Sequence, residues 1–434
     1  MSELLGHNFL RALSHLGQRI DRVDDEDLRD AAITALSDAG EVLTAGSGEA
    51  VITIAADAFY LDRRMLAHAS TEFHTMLKSM KQRRVDSITI RKGATRRDLA
   101  DLAALVMGHS SDLPADGTVR INERTMSTSD LDIRPMSGLR RSYAESLDAL
   151  RGVSTTRTLE LGEVLDVVDG FIAGGATDPG ASLLMATVQN HDEITYYHSV
   201  NVCLLSMALG RFAGLGKEQV RLLGLGALLH DIGRVVVDEA ALSREGRLSN
   251  EDWAQVRLHP QEGALAILAA SGPGQELAAA VALEHHVRVD GGGYPGLSGR
   301  RPSLFSRMVA IADSYDAITS HRPYRPARTP NEALHVLLAG AGTAYDADLL
   351  KLFIEMMGHY PPGSLLRLNG GEIVMITPAD GAVVVREGDG ALVERPRPIT
   401  FPPGDVVAQL LPAEAGVDPS SLLEILEQGE HAGR

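Results

Sequence analysis

Three apolar stretches in the middle of this chain run at helical spacing and then end on side chains that a core does not tolerate alone. Val220 to Leu229 leads into His230-Asp231, Ala278 to Glu284 leads into His285-His286, and Met308 to Ala312 leads into Asp313. Helices this apolar are buried over most of their surface, and their polar ends go inward with them. A buried carboxylate without a partner is costly, so Asp313 calls for a cation. The fold must bring helix ends together around positive charge.

Two more histidines enter the same region. His198 lies in Tyr196-Tyr-His-Ser-Val200, at the start of a helix whose next turns, Val202 and Leu204-Leu205, are core-like, and His259 precedes Pro260 in a Leu-His-Pro turn. Taken singly, each histidine is more often a satisfied core or surface residue, and a lone His-Asp pair is weak evidence. Five histidines and two aspartates entering one apolar helical domain are not explained that way. Asp231 can bridge two cations with its two oxygens while His230 supplies nitrogen to one of them. Oxygen and imidazole ligands without thiolates favour iron or manganese over a Cys-type structural zinc. Two such ions about 3.5–4 Å apart can hold both oxygens of an in-line phosphoryl displacement. Phosphodiester hydrolysis is the reaction that geometry serves.

Around this region the hydrophobic period changes twice. Residues 1–140 are expected to form a small α+β domain with a linker. Phe9, Leu10, Leu13, Leu16 and Ile20 are spaced for a helix, Val51-Ile-Thr-Ile54 and Ser87-Ile-Thr-Ile90 are short β-branched strands, and Thr95 with Asp98 forms a capping box for a helix through Met107. From about 110 to 150 the composition turns polar and reads as the linker. Residues 150–360 contain helical patterns and almost no alternation, so they are expected to be all-α. Ser249 to Asp252 and Thr329 to Glu332 open two of the helices, the second with Pro330 at its first position. Residues 361–434 alternate again, in Ile373-Val-Met-Ile376 and Ala382-Val-Val-Val-Arg386, giving a small β extension with a short helix expected after Asp418. The fold class is therefore mainly α.

At 434 residues, two or three domains are expected. The formal charge of −17 argues against a binder of DNA or RNA polymers, while arginines or metal ions within a cleft can still serve a small anion. Cys203, the single cysteine, sits in an apolar run, which suits a buried thiol in a reducing cytoplasm. No basic-then-apolar leader and no 18-residue uncharged apolar run is present, so neither export nor a membrane span is expected.

At the polar helix ends the chain resembles the HD-GYP branch of the HD-domain phosphohydrolases. His230-Asp-Ile-Gly-Arg234 is similar to the HDxGK motif, His285-His-Val-Arg-Val-Asp-Gly-Gly-Gly-Tyr-Pro295 carries the HH…DGxGYP signature, and Ile311 to Ser320 followed by Arg322-Pro-Tyr-Arg325 is similar to the next block. The resemblance covers roughly 190–360 and implies a cyclic dinucleotide substrate, cyclic di-GMP, cleaved to pGpG or GMP. It implies that His198, His230, Asp231 and Asp313 hold one metal and that Asp231, His259, His285 and His286 hold the other. Some members bind a third metal through a Glu one turn before the first His; that position here is Ile194, so two divalent ions are expected. Gly293, Tyr294 and Pro295 belong to the substrate loop, with Tyr294 on the guanine side, and Arg322 and Arg325 would bind phosphate.

The chain departs from the family in two places. Arg234 replaces the Lys of HDxGK, keeping charge for phosphate but losing the ability to donate a proton, and Val287 replaces a Glu that commonly follows the two histidines. Asp231 and Arg234 are the expected catalytic residues. The departures favour an alternative, a weakly active or inactive module that binds cyclic di-GMP and signals through a protein partner. A hydrolase for another nucleotide is a second alternative, against which the GYP signature argues. The first domain is expected to be regulatory or dimerising, leaving a signalling partner and a homodimer open.

Overall fold

The structure, a computed structural model, describes residues 2–19, 26–55, 58–61, 64–107, 113, 117–123, 138–156, 158–176, 179–186, 194–235, 249–296, 299–320, 326–378 and 381–417. The chain divides into two compact units, Met1–Ala144 and Glu145–Arg434. Among the described residues it is mainly helical, with one five-stranded antiparallel sheet in each unit.

In the first unit, α1 (Ser2–Arg19) and α2 (Glu26–Thr44) precede β1 (Glu49–Ala55), β2 (Ala58–Leu61) and β3 (Arg64–Met65). Then come α3 (Ala67–Glu72), α4 (His74–Gln82), β4 (Ser87–Arg91), α5 (Arg96–Met107) and β5 (Val119–Ile121). Phe9, Leu10, Leu13 and Leu16 are fully buried along one face of α1; Ile20 lies outside the described residues. The two strands visible in the sequence pair with each other, Ile52 opposite Ile88, at the centre of the sheet ordered β3-β2-β1-β4-β5. Asp98 accepts from the Thr95 amide at 3.0 Å while Thr95 Oγ1 accepts from the Asp98 amide at 3.2 Å, the expected capping box. The stretch read as linker holds more order than its polarity suggests. Val119–Ile121 forms an edge strand against β4, and Thr118 Oγ1 donates to Asp98 at 2.7 Å. Three residues are too few for alternation to register.

The second unit contains α6, whose range Gly138–Thr156 begins in the first, then α7 (Leu161–Ala173), α8 (Pro179–Met185), α9 (Ile194–Phe212) and α10 (Lys217–Leu229). A 3₁₀ turn, Ile232–Val235, follows α10. Next are α11 (Asn250–Val256), α12 (His259–Ala269), α13 (Gln275–Glu284), α14 (Leu304–Thr319), α15 (Pro330–Ala339) and α16 (Ala347–Met357). Both anticipated capping boxes are present, at Ser249/Asp252 and Thr329/Glu332. Helix α10 is central, packing on α7, α9 and α13, and α14 closes over α9 and α13. The core between them is aliphatic: Val200, Leu204, Leu223, Leu228, Val281 and Val309 are all but completely buried.

After α16 the chain forms β6 (Leu365–Leu368), β7 (Ile373–Ile376), β8 (Ala382–Arg386), β9 (Leu392–Ile399) and β10 (Val406–Leu410), ordered β10-β6-β7-β8-β9. This sheet has a small core of its own around Leu366, Val374 and Val384 and is tied to α15 by the Asn331 amide, which donates to Gln409 Oε1 at 3.1 Å. The helix expected after Asp418 lies outside the described residues. Among those described, no helix is long and apolar enough to cross a membrane.

Candidate metal centre

Helix α10 delivers the first pair of polar residues. His230 caps its C-terminus and Asp231 follows, both buried. The chain then tightens into the 3₁₀ turn, with the Arg234 amide donating to Asp231 O at 2.9 Å. This tighter spiral places residues i and i+3 one over the other. Arg234 Nε accordingly stands 2.7 Å from Asp231 Oδ2. Gly233 makes this turn possible, because a Cβ at that position would lie 2.0 Å from His259 O. Only glycine lets the turn seat on the start of α12, which brings His259 beside Asp231.

The imidazoles are aimed by what their Nδ1 atoms bond. His230, His259 and His285 each donate Nδ1–H to the carbonyl three residues earlier, Ala227 at 2.7 Å, Val256 at 2.6 Å and Ala282 at 2.8 Å. That tautomer leaves each Nε2 a lone pair facing inward. His198 is held differently, donating Nδ1–H to Asp316 Oδ2 at 2.7 Å. Asp316 is in turn fixed by Asn201 Nδ2 at 3.0 Å and Ser320 Oγ at 3.2 Å.

Seven side chains converge as two groups, His198/His230/Asp313 and Asp231/His259/His285/His286, each with its ligand atoms within 4.8 Å of one another. Asp231 stands between the groups. Its Oδ2 is 3.8 Å from His198 Nε2 and 3.5 Å from His230 Nε2, while its Oδ1 is 3.2 Å from His259 Nε2 and 3.7 Å from His285 Nε2. Asp313 Oδ1 is 3.0 Å from His198 Nε2, and its Oδ2 is 3.8 Å from His286 Nδ1.

These atoms fit metal ions. Asp231 Oδ1 and His230 Nε2 are buried without a hydrogen-bond partner, a costly state for polar groups, and Asp231 Oδ2 meets Arg234 in an ion pair. The Nε2 atoms of His259 and His285 face each other at 3.2 Å with lone pairs opposed, an arrangement that a cation relieves. Burial pushes the proton affinity of His230, His285 and His286 down, and His259 down to about 4, so these rings are neutral, the form a metal ligand needs. Burial opposes the charge on Asp231 too, but Arg234 and the surrounding imidazoles hold it well below the ordinary carboxylate range.

The loop after His286 folds back on the site. Val287, buried and apolar, forms an isolated antiparallel bridge with Gly293, and the Tyr294 amide donates to His286 O at 3.2 Å. Gly293 has a φ of 83°, and a Cβ there would sit 2.1 Å from His286 O. Its missing side chain thus serves loop closure. The amides of Gly291, Gly292 and Tyr294 donate within the loop, to Arg288 O, Asp290 Oδ1 and His286 O. The Tyr294 ring lies 4.6 Å from that of His286, and Pro295 follows half-buried. Arg322 and Arg325 lie outside the described residues.

Sequence reasoning did not single out Asp316 or Glu284. Glu284 is a buried carboxylate that accepts from the Ser303 amide and Ser306 Oγ, both at 2.8 Å, tying the end of α13 to the start of α14. The signal for Asp316 was available: it follows Asp313 by three on the same apolar helix.

Residues 182–349 match the HD domain family. A cyclic di-GMP phosphodiesterase of Pseudomonas aeruginosa is 36% identical over 256 residues, 59% of this chain and 60% of that protein. A cyclic di-GMP phosphodiesterase response regulator of Xanthomonas campestris pv. campestris is 37% identical over 134 residues, 31% of this chain and 35% of its own. A 3'3'-cGAMP-specific phosphodiesterase of Vibrio cholerae is 34% identical over 158 residues, 36% of each chain. The chain thus spans from about a third to 60% of the length of these curated relatives. The helical domain at 182–349, with its seven converging side chains and the His285–Pro295 loop, matches the HD domain family.

Proposed function

We propose that this chain hydrolyses a phosphodiester bond of a cyclic dinucleotide, cyclic di-GMP to pGpG or GMP, with the support of two divalent ions of iron or manganese type. The carrying observation is the placement of Asp231, which turns one oxygen toward each group of ligands. In this reading His198, His230, Asp231 and Asp313 hold one ion, and Asp231, His259, His285 and His286 the other. The names of the relatives supply the substrate class. When bound, the ions supply positive charge to the phosphate oxygens and lower the proton affinity of the attacking water.

The chain's own groups do the rest. Arg234 is a permanent cation, since pairing with Asp231 outweighs burial and raises its proton affinity further; it binds a phosphate oxygen and does not protonate the leaving group. Tyr294 is kept a neutral phenol by burial, with its ring 4.6 Å from that of His286. Residues 150–360 are read as the catalytic domain, 1–140 as a regulatory or dimerising one and 361–434 as an extension. A cytoplasmic setting suits the lone Cys203, buried with its thiol held protonated by burial.

Metal-reconstituted protein incubated with cyclic di-GMP, and separately with 3'3'-cGAMP, tests the proposal by chromatography of the products. Linear dinucleotide or mononucleotide is expected. Binding without turnover would transfer support to the second reading, a module that signals through a partner, which Arg234 in place of lysine favours. Neither binding nor turnover would sink both.

A further inference from the structure

Planar groups continue outward from the buried histidines. Beyond His286 lies Tyr294, and the guanidinium carbon of Arg257 stands 5.5 Å from the centroid of the Tyr294 ring. The same carbon is 5.9 Å from the centroid of Trp253. Local sequence explains the arrangement. The Ser249/Asp252 capping box starts α11, and residues 253 and 257, four apart, share one face of it. The Arg257 amide donates to the Trp253 carbonyl at 3.1 Å, and His259 follows two residues later, buried beside Asp231.

Trp253 is the chain's single tryptophan, yet it is 46% exposed. Arg257 is exposed as well, and among the described residues no carboxylate pairs with it. On a protein of net charge −17, an arginine left without an acidic partner between two aromatic rings marks a place for an anion with a flat apolar face.

A cyclic dinucleotide carries two phosphates and two bases, and only one phosphodiester can lie at the seven ligands at a time. We infer that Trp253 and Arg257 form an outer subsite of the centre, where Trp253 stacks on a purine base and Arg257 pairs with the phosphate that is not being cleaved. The assignment rests on the proposed substrate class. Stacking on an indole is tolerant of base identity, so this subsite accepts guanine and adenine alike and does not discriminate cyclic di-GMP from a mixed dinucleotide.

The test uses the full-length, metal-loaded protein and its Trp253→Ala, Trp253→Phe, Arg257→Ala and Arg257→Lys variants. Their kcat/KM for cyclic di-GMP is compared with that for bis(4-nitrophenyl) phosphate, which has neither a base nor a second phosphate. The preference for the dinucleotide should fall about tenfold in each alanine variant, through KM, with Phe and Lys recovering most of it. Loss of the same size on both substrates would mean a damaged centre and would overturn the subsite, as would alanine variants whose preference equals that of the wild type. If wild-type protein cleaves the small diester and neither cleaves nor binds cyclic di-GMP, the substrate reading fails and the subsite falls with it. Wild-type cleavage of cyclic di-GMP with unaffected variants leaves the function standing and removes the subsite alone.

Discussion

His198 and His259 are both buried imidazoles whose Nε2 atoms face the two oxygens of one carboxylate, yet their surroundings push them in opposite directions. Burial disfavours the charge on each. For His198 the carboxylates of Asp313 and Asp316 overcome that burial and raise the ring to about 9, whereas at His259 burial, aided by Arg234 and His286, outweighs the pull of Asp231 and the Val256 carbonyl, and the ring falls to about 4. The difference lies in the second carboxylate: His198 has Asp316 at Nδ1 and Asp313 at Nε2, while His259 has a neutral carbonyl at Nδ1 and Asp231 at Nε2. One side of Asp231 carries fixed negative charge that a cation must neutralise; the other is a set of neutral nitrogens. Two ligand groups that look alike by residue type are therefore electrostatically unequal, and the His198 side should hold a divalent ion more tightly.

The widest break in that comparison comes from the carboxylate the two sides share. Asp231→Ala should lose both ions and reduce hydrolysis to background, as read by elemental analysis and product chromatography; wild-type turnover in this variant would refute the bridging role. Side-selective changes come next. His285→Ala should empty only the neutral side and keep about one ion per chain, while Asp313→Asn should weaken the charged side first. If His285→Ala loses both ions, the two sides are not separable.

Smaller effects sharpen the contrast. Asp316→Asn removes the charge behind His198 while leaving a group able to accept from Nδ1–H, and should lower metal affinity on that side by about 10- to 100-fold. A loss on the other side instead would misplace the effect. Because a metal ligand must be deprotonated, loading the His198 side near neutral pH should release a proton, and its affinity should rise with pH until about 9. The His259 side should take up its ion without proton release at any pH well above 4. Calorimetric titration in buffers of different ionisation enthalpy separates the two. The least change is expected from Arg234→Lys, a cation for a cation at 2.7 Å from Asp231, which should raise turnover by less than about tenfold through proton donation to the leaving oxygen. A rate at or below wild type would assign residue 234 to phosphate binding alone.

Much of this site was legible because burial conflicts with polarity in a local, readable way. An apolar helix that ends on His230-Asp231 or His285-His286 declares in ten or so residues that its polar end goes inward. The capping boxes at Thr95, Ser249 and Thr329 are equally local, as are the β-branched runs that became β1 and β4. Legibility failed where the element was too short for a period to register, as in the edge strand Val119–Ile121. It failed too where a glycine's reason lies elsewhere in the chain: a Cβ at Gly233 would meet the carbonyl of His259, on a helix that comes later in the chain.

The sequence by itself determined the fold class, the seven candidate ligands and the helices that carry them, since each follows from residue type and spacing within a turn or two. Tertiary structure decided which oxygen of Asp231 faces which histidines, that His198 leans on Asp316, 118 residues away along the chain, and that Arg257 reaches Tyr294 across two segments. Those relations depend on how helices dock, and docking is governed by the summed shape of many side chains, which no local pattern records.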